Sequence, residues 1–483
     1  MSFVSLEFII FLSIALALNY LLKGNARKVL LIFLSFYFYS TFTKYSFFIF
    51  IFTFLIYTYA LILGFVKNST FKRVILYGQL ISVLSLFIYF KYLGFLSDIL
   101  TNLTGKTFIQ GNPAFAFIGI SYVMFQSFGY LFDVYYERIK AEKNILNFTL
   151  LIIYFPKLIS GPIEKSKIFL MQCNFRDKSI NTVLFSRGFK FFVYGFFIKS
   201  VIADRLSFPV SRLFSTPLSF DSIITSITVI FYSFQLYTDF MAYSLMALGI
   251  SLMLGIEIIN NFNLPYFAES VSDFWKRWHI SLSKWLRDYI FLPLNYAILR
   301  PKSILFKIFR RPEKFSYIVT TIITMTICGF WHGANWTFII WGIIHAFYMI
   351  FGFITKKLRK SISISLGLYK SNISKVGKII ITFSIITFAF IFFRADSINA
   401  AFKIIHNIFS FSYYSSTEFW FYNPTEFYSC IFFLIIFIIF EIVLYINNKN
   451  LTEYLNAYVI FALILTIIVF GKFGENDFLY FKF

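Results

Sequence analysis

Residues 334–360 read ANWTFIIWGIIHAFYMIFGFITKKLRK, an apolar run that stops at a cluster of lysine and arginine. As an α-helix, the run is long enough to cross a hydrocarbon core about 30 Å thick. Basic residues directly after such a run are typical of a helix that ends at the cytoplasmic face. The stretch therefore predicts a membrane helix that runs from the outer side inward.

The same apolar character extends over the whole chain. Of its 483 residues, 59% are hydrophobic and 14% charged, and the mean hydropathy is +0.75. A water-soluble fold cannot bury so large an apolar fraction, whereas a membrane protein exposes it to lipid. The composition predicts an all-α polytopic integral membrane protein with roughly a dozen membrane helices and re-entrant segments. The predicted segments lie near 3–22, 29–42, 45–66, 73–98, 115–133, 146–160, 188–204, 222–256, 316–331, 334–355, 377–394, 429–447 and 455–473.

The net charge of +22 raises the alternative of nucleic-acid binding. However, the cations gather in short loops such as 299–314 and 356–360, as a topology signal beside anionic lipid does, so no nucleic-acid partner is predicted. The three cysteines have the spacing of neither a disulfide framework nor a zinc site. Because no linker or low-complexity tract interrupts the chain, residues 1–483 are predicted to form one integral membrane domain.

The first apolar segment, Met1 to Leu22, has neither a basic leader nor a small-residue cleavage site. It is therefore predicted to be a retained helix and not a removed signal peptide. Lys23, Arg27 and Lys28 follow it directly. The positive-inside rule then places Met1 outside and this loop in the cytoplasm.

Residues 274–294, FWKRWHISLSKWLRDYIFLPL, combine tryptophans with cations and one histidine. On one continuous helix they predict an amphipathic element in the membrane interface, with its tryptophans at headgroup depth. His279 lies at the edge of the apolar arc, where an anchoring helix needs no histidine. It is a candidate functional residue, and the alternative is a histidine hydrogen-bonded within the packing. The apolar arc comprises Trp275, Trp278, Leu282, Trp285, Leu286 and Tyr289, and the polar arc Lys276, Arg277, Lys284, Arg287 and Asp288.

Two of the four histidines lie in residues 328–347, CGFWHGANWTFIIWGIIHAF. An ionisable side chain at membrane depth costs free energy and is a functional-site candidate. The arm 316–331 would rise only about 24 Å from the cytoplasmic face, less than the full core. The turn that holds His332 is therefore predicted to lie inside the bilayer, on its outer side, where irregular backbone must line a cavity or be buried in protein. His345, on the returning helix, is predicted to lie near the midplane.

His332 and His345 are poorly arranged for a shared metal ion. On one helix they would be separated by a rise of about 20 Å, and neither an HExxH motif nor nearby carboxylates accompany them. No metal site is predicted. A neutral imidazole in a dry, narrow cavity is instead suited to taking a proton from a hydroxyl as a general base.

With these motifs the sequence resembles the membrane-bound O-acyltransferases, and more narrowly the bacterial branch named for the alginate O-acetylation protein I. The resemblance begins with the two motifs DFWKRWHISLSKWLRDYIFLPL (273–294) and GFWHGANWTFIIWGIIH (329–345). Further stretches agree with the same family in the same order along the chain. They are SLEFIIFLSI near the start, GISYVMFQSFGYLFDVY (119–135), YFPKLISGPIEK (154–165), GFFIKSVIADRL (195–206), QLYTDFMAYSLMALGISLMLG (235–255) and FIFFRADSINAA (390–401).

The resemblance implies a ring of membrane helices around a passage that connects the two faces. The acyl donor would enter from the cytoplasm and the acceptor hydroxyl from outside. The resemblance also implies that His332, in the WHG motif, is the essential catalytic residue and that His279, in the WKRWH motif, assists it. The family glycines of two other motifs are alanines here, in WGIIHA and in FMAYS (240–244), which should narrow the packing or the passage locally.

The expected activity is transfer of an acyl group, most directly acetyl from acetyl-CoA as co-substrate, to an alginate-, peptidoglycan- or cellulose-like polysaccharide outside the cytoplasm. The resemblance also implies a separate periplasmic or surface transferase as partner, and the bacterial inner membrane as location. One alternative is D-alanyl transfer to teichoic acid. The other is a polysaccharide or lipid transporter, which the absence of internal repeats and the shortage of paired intramembrane charges disfavour.

The helix predicted over residues 274–294 is expected at the cytoplasmic mouth of the passage, where the anionic acyl donor would arrive. Donor binding is predicted for Arg277, Lys284, Arg287 and Trp278, with a solvated, lipid-facing role as the alternative for the cations. The residues predicted to line the passage are Trp331, Asn335, Trp336 and His345.

Overall fold

The computed structural model describes residues 1–106, 118–175, 181–217, 220–301, 303–308, 311–411, 424–473 and 478–479. Within these ranges the chain is helical and forms no β-strand. The first helices are α1 Leu6–Leu21, α2 Gly24–Ser40, α3 Phe48–Phe65, α4 Ser69–Lys91, α5 Leu93–Thr104, α6 Ile120–Tyr135, α7 Ile145–Ile153 and α8 Phe155–Leu158. They are followed by α9 Ser166–Gln172, α10 Thr182–Phe197, α11 Asp204–Ser215, α12 Ser222–Met253, α13 Val271–Arg277, α14 Ile280–Leu286, α15 Leu292–Leu299 and α16 Ile304–Ile308. The last are α17 Pro312–His332, α18 Trp336–Ile354, α19 Lys356–Ser365, α20 Asn372–Arg394, α21 Ile398–Phe409, α22 Pro424–Asn447, α23 Leu451–Tyr454 and α24 Ala457–Phe470.

Seven of the helices in the described part of the chain are long and apolar enough to cross a membrane. They are α3, α4, α12, α17, α18, α20 and α22, and the shorter helices α1 and α24 are also apolar. The prediction of an all-α polytopic membrane protein is confirmed. The ring around a passage stays a prediction. Positions 115–117 of one predicted segment, and positions 302, 309 and 310 of the predicted basic loop, lie outside the described residues.

The chain forms two compact units. The first contains Met1–Phe197, Ala242–Asn260 and Leu455–Phe483, and the second contains Ile198–Met241 and Asn261–Tyr454. The long helix α12 contributes residues to both. The prediction of one integral membrane domain over residues 1–483 stays a prediction.

In the first unit, glycines allow α10 to pack closely against the C-terminal part of α12. A Cβ atom on Gly188 would lie 2.6 Å from the carbonyl oxygen of Gly249, and one on Gly195 would lie 2.8 Å from that of Ala242. Any larger side chain at these two positions would push the helices apart. Close backbone approach of this kind is typical of helix pairs in membranes.

In the second unit, α17 and α18 form a helical hairpin with their backbones in contact. A Cβ atom on Gly329 would overlap the carbonyl oxygen of Phe338, and one on Gly342 would overlap that of Met325. The two glycines therefore fix how far one helix can slide along the other. His332 ends the first helix and His345 lies on the second, so this contact also fixes their relative height.

Candidate active site

The single helix predicted over residues 274–294 is wrong. The structure has α13, then α14, then a π-helical turn at Arg287–Phe291, then α15. His279 lies at the break between α13 and α14 with φ of +42°, in the left-handed region. For a residue with a Cβ atom this conformation costs roughly 1–2 kcal/mol, so the surrounding structure must support it.

A short segment of backbone before α13 supplies that support. The N–H groups of Ile280 and Ser281, in the first turn of α14, donate to the backbone oxygen and to Oδ1 of Asn261 over 2.9 and 3.2 Å. The N–H of Asn263 donates to the carbonyl oxygen of Arg277, at the end of α13, over 2.9 Å. The segment therefore satisfies both helix ends that the break creates. Hydrophobic periodicity carries no sign of these bonds, which is why the sequence predicted one helix.

The predicted apolar arc is still the buried side of this region. Trp275, Trp278 and Trp285 are 7%, 2% and 7% exposed, and Leu282 and Leu286 are buried as well. The ring of Trp278 lies among other aromatic rings, 5.2 Å from the centroid of Phe262. These tryptophans pack inside the protein and do not face lipid, and their predicted depth at the headgroups stays a prediction.

His332 is the last residue of α17, whose 21 residues begin at Pro312. The helix rises about 31 Å, enough to cross the hydrocarbon core. The prediction of a short arm over 316–331 is therefore wrong. A helix of the observed length gives no reason to place the turn at His332 inside the bilayer. His332 is nevertheless buried in protein, with 3% of its surface exposed. Its ring lies edge-on to Trp341 and Phe393, at centroid distances of 5.2 and 4.9 Å.

Two tryptophans connect three buried histidines in the second unit. Trp331 contacts His279 at a centroid distance of 6.0 Å and His332 at 4.7 Å. Trp341 contacts His332 at 5.2 Å and His345 at 4.8 Å. None of the three histidines is more than 3% exposed. The structure thus brings together four of the residues that the sequence singled out, and we call these five residues the histidine cluster.

Aromatic rings enclose the cluster and keep its imidazoles away from bulk water. Phe240 of α12 lies edge-on to His279 at 4.7 Å, and Phe393 of α20 contacts both His332 and Trp341. Burial lowers the pKa of His279, which lies outside the long apolar helices, to about 3. Its ring is therefore neutral near pH 7 and has a lone pair that can accept a proton.

His345 is held by Trp275, which sequence reasoning placed on the apolar arc and did not assign to the site. The indole Nε1–H of Trp275, on α13, donates to Nδ1 of His345 over 3.2 Å. The ring centroids of the two side chains are 5.3 Å apart. The two residues are 70 positions apart in the chain, so no local pattern could have paired them.

The cations predicted to bind the donor are less buried than the apolar arc: Lys284 and Arg287 are exposed and Arg277 is half-buried. Arg277 pairs with Asp273 over 3.0 Å, and Arg287 with Asp288 over 2.8 Å. Trp278 is buried, as described above. Donor binding by these four residues stays a prediction.

Two of the residues predicted to line the passage begin α18. Asn335 caps this helix, since its Oδ1 accepts the N–H of Thr337 over 3.1 Å, and its Nδ2 donates to the carbonyl oxygen of Asp396 over 2.9 Å. Trp336, the first residue of the helix, is 50% exposed. A role for either residue in a passage stays a prediction.

A buried ion cluster behind the site was also missed. Lys199 donates to Asp204 over 2.7 Å and to Asp239 over 2.8 Å, and all three side chains are at most 5% exposed. Asp239 precedes Phe240, whose ring contacts His279. This cluster is an exception to the expected shortage of paired charges in the apolar part of the chain. A hydropathy average does not report an ion pair whose partners are 40 residues apart.

Comparison with known proteins identifies the family of this chain. The model of the membrane-bound O-acyltransferase family matches residues 81–394, a range that holds the entire histidine cluster. The chain belongs to this family. It is therefore an acyltransferase, and the resemblance noted from the motifs is confirmed.

Named relatives of this membrane-bound O-acyltransferase include enzymes of cell-envelope chemistry. The probable alginate O-acetylase AlgI of Pseudomonas aeruginosa is 31% identical over 420 residues, which cover 85% of this chain and 75% of that protein. The peptidoglycan O-acetyltransferase of Helicobacter pylori is 31% identical over 409 residues, 78% of this chain and 73% of that protein. The teichoic acid D-alanyltransferase of Streptococcus thermophilus is 30% identical over 292 residues, 57% of this chain and 68% of that protein.

Proposed function

We propose that this acyltransferase moves an acetyl group from acetyl-CoA, on the cytoplasmic side, to a hydroxyl of a polysaccharide outside the cytoplasm. The observation that carries the proposal is the histidine cluster, in which His279 and His332 flank Trp331 in a buried aromatic enclosure. The names of the Pseudomonas and Helicobacter relatives support acetyl as the group, and an alginate- or peptidoglycan-like polymer as the acceptor. A cellulose-like polymer is the third candidate acceptor.

In the proposed mechanism, His332 is the general base. It takes the proton of the acceptor hydroxyl as that oxygen attacks the thioester carbonyl carbon. The carbon–sulfur bond then breaks, and the leaving thiolate takes the proton back from His332. General-base catalysis is worth about 10²–10⁴-fold. His279, on the other side of Trp331, orients or polarises the acceptor hydroxyl.

Three cations of the WKRWH segment, of which Lys284 and Arg287 are exposed and Arg277 is half-buried, are proposed to receive the donor. Coenzyme A carries phosphates, and Arg277, Lys284 and Arg287 would attract them over a range set by the ionic strength. Asp273 and Asp288 partly neutralise the two arginines, so the attraction is moderate. Trp278 is buried under this surface and would stabilise its shape.

We expect the protein to lie in the bacterial inner membrane, with several membrane crossings and Met1 outside. Lys23 after α1 and the basic residues after α18 support this orientation by the positive-inside rule. Arg27 and Lys28, predicted to lie in the loop after α1, are instead buried on α2. The acceptor is then reached from the outer face, either directly or through a periplasmic or surface transferase as partner.

D-alanyl transfer to teichoic acid is the second candidate, because the Streptococcus relative carries that name. That match covers 57% of this chain, against 85% for the alginate relative. The alginate relative therefore matches more of this sequence, which favours acetyl transfer as the proposed function. A polysaccharide or lipid transporter would not cleave a thioester at all.

The test is an assay of purified protein in lipid nanodiscs with radiolabelled acetyl-CoA and oligosaccharides of alginate, peptidoglycan or cellulose. We expect thioester cleavage that depends on one of these acceptors and a labelled ester on the sugar. A D-alanyl thioester with teichoic acid serves as the competing pair. Absence of acetyl transfer to every acceptor, together with D-alanyl transfer, would establish the second candidate.

A further inference from the structure

One face of α18 carries three buried polar side chains, each about one helical turn from the next. Thr337, Trp341 and His345 are each 1% exposed. Among the residues that the structure describes, Thr337 Oγ1, Trp341 Nε1 and His345 Nε2 have no hydrogen-bond partner. A buried polar atom left unbonded costs about 1–3 kcal/mol, so three on one helix face need an explanation.

The hydrogen bond from Trp275 determines what His345 offers at Nε2. An indole nitrogen only donates, so Nδ1 of His345 accepts and carries no proton. The neutral ring must then carry its proton on Nε2. Trp275 therefore makes His345 a hydrogen-bond donor on the side that faces away from their bond. Trp341 Nε1–H is a second donor, on a ring whose centroid is 4.8 Å from that of His345.

These two donors have the chemistry of a site for a carbonyl oxygen. An oxygen that becomes negative during a reaction is stabilised by N–H groups that are fixed in place beforehand in a dry enclosure. His345 is fixed by Trp275, and Trp341 is packed between His332 and His345. The same tryptophan thus adjoins the proposed base and the second donor.

We propose that His345 Nε2–H and Trp341 Nε1–H bind the carbonyl oxygen of the acyl group and stabilise it as an oxyanion. The proposal rests on the proposed function. When the acceptor oxygen attacks, the carbonyl π electrons move to this oxygen, while the hydroxyl proton passes to His332. When the carbonyl forms again, the electrons of the carbon–sulfur bond leave with sulfur, which takes that proton. Thr337 lies about one helical turn before Trp341 on the same face of α18, and it would bind a polar group of the same substrate.

The test compares two replacements of His345 that differ in whether they keep a donor. His345→Met removes the N–H at similar length, and we expect kcat to fall about 10²–10³-fold, as for loss of one such donor. His345→Gln retains an amide N–H near the position of Nε2, and we expect its kcat to stay within about tenfold of wild type. KM for acetyl-CoA should change by less than about threefold in both, because the bond is strongest in the transition state.

Trp275→Phe tests the fixing of the tautomer without touching the donor itself. It keeps a ring but removes the bond to Nδ1, so His345 can carry its proton on either nitrogen. We expect kcat to fall about five- to tenfold. Trp285→Phe is the matched control, since Trp285 is equally buried at 7% and makes its ring contact with Tyr289. It should leave kcat within about twofold.

The outcomes separate this proposal from the proposed function. A folded His345→Met protein with wild-type kcat overturns the proposal, and equal losses in the Met and Gln variants also overturn it, because they indicate packing alone. If His345→Met fails to fold, His345→Gln and Trp275→Phe decide in the same way. Acyl transfer by wild type that is lost in a His332 variant and kept in His345→Met removes only this proposal. Absence of acetyl-CoA cleavage by wild-type protein with every acceptor, and with the partner transferase present, removes the proposed function itself.

Discussion

Replacing His332 is the strictest test of the proposed chemistry. His332→Ala removes the proposed base and also empties a buried site between Trp341 and Phe393. The loss of general-base catalysis predicts a fall in kcat of about 10²–10⁴-fold. The loss of a buried ring predicts destabilisation of about 2–4 kcal/mol. Both effects reduce activity, so a second variant is needed to separate them.

His332→Phe supplies that separation. It keeps a planar ring in the aromatic enclosure and removes the lone pair that accepts the proton. We therefore expect His332→Phe to melt close to wild type and to be as inactive as His332→Ala. His406, on α21, is exposed and lies outside the histidine cluster, so His406→Ala should behave as wild type in both measurements.

The assay is single-turnover transfer of radiolabelled acetyl in nanodiscs, with size-exclusion profiles and thermal melting of each variant. Melting identifies loss of packing, and the single-turnover rate reports the chemical step. Substantial transfer by well-folded His332→Phe protein would refute the assignment of His332 as base. In that case a neighbouring imidazole, His279 or His345, would have to take the proton.

Three further predictions concern His279, the cations of the WKRWH segment and the orientation of the chain in the membrane. His279→Ala should lower kcat severely, but less than His332→Ala does. His279→Gly should be as slow as His279→Ala yet about 1 kcal/mol more stable, because glycine adopts a φ of +42° without strain. Equal melting temperatures of the two His279 variants would contradict the strain. Reversal of Arg277, Lys284 and Arg287 to glutamate should raise KM for acetyl-CoA more than it lowers kcat, with an effect that shrinks as salt increases; an unchanged KM would return them to a lipid-facing role. A cysteine at Lys357 should resist an impermeant maleimide in intact cells, because the basic end of α18 is expected in the cytoplasm, and labelling from outside would reverse the orientation.

The membrane character of the fold was predictable because it is local information. A run of apolar residues needs no distant partner to satisfy its backbone when it forms a helix, so composition alone locates it. The returning helix predicted over 334–355 is found at Trp336–Ile354. Its partner began four residues earlier than predicted, at Pro312, because proline is well accommodated in the first turn of a helix.

The geometry of the site was not predictable, because distant residues set it. The break at His279 depends on hydrogen bonds to Asn261 and Asn263, and the orientation of His345 depends on Trp275. Hydrophobic periodicity compares each residue with its neighbours within one or two helical turns, so it cannot report hydrogen bonds between residues far apart in the chain. The sequence therefore identified His279 as a candidate functional residue but predicted it within a continuous helix and not at a break between two helices.

We infer that the backbone at His279 serves the proposed chemistry in a way that a regular helix would not. Left-handed conformation in a residue with a side chain costs free energy and persists only where the surroundings enforce it, which is why such residues gather at functional sites. Here Asn261 and Asn263 enforce it. The break gives α14 a new start and leaves the imidazole against Phe240 and Trp331. An apolar side chain on an unbroken helix would fill the same space at lower cost, so the strain is best explained by chemistry that needs a neutral imidazole at this position.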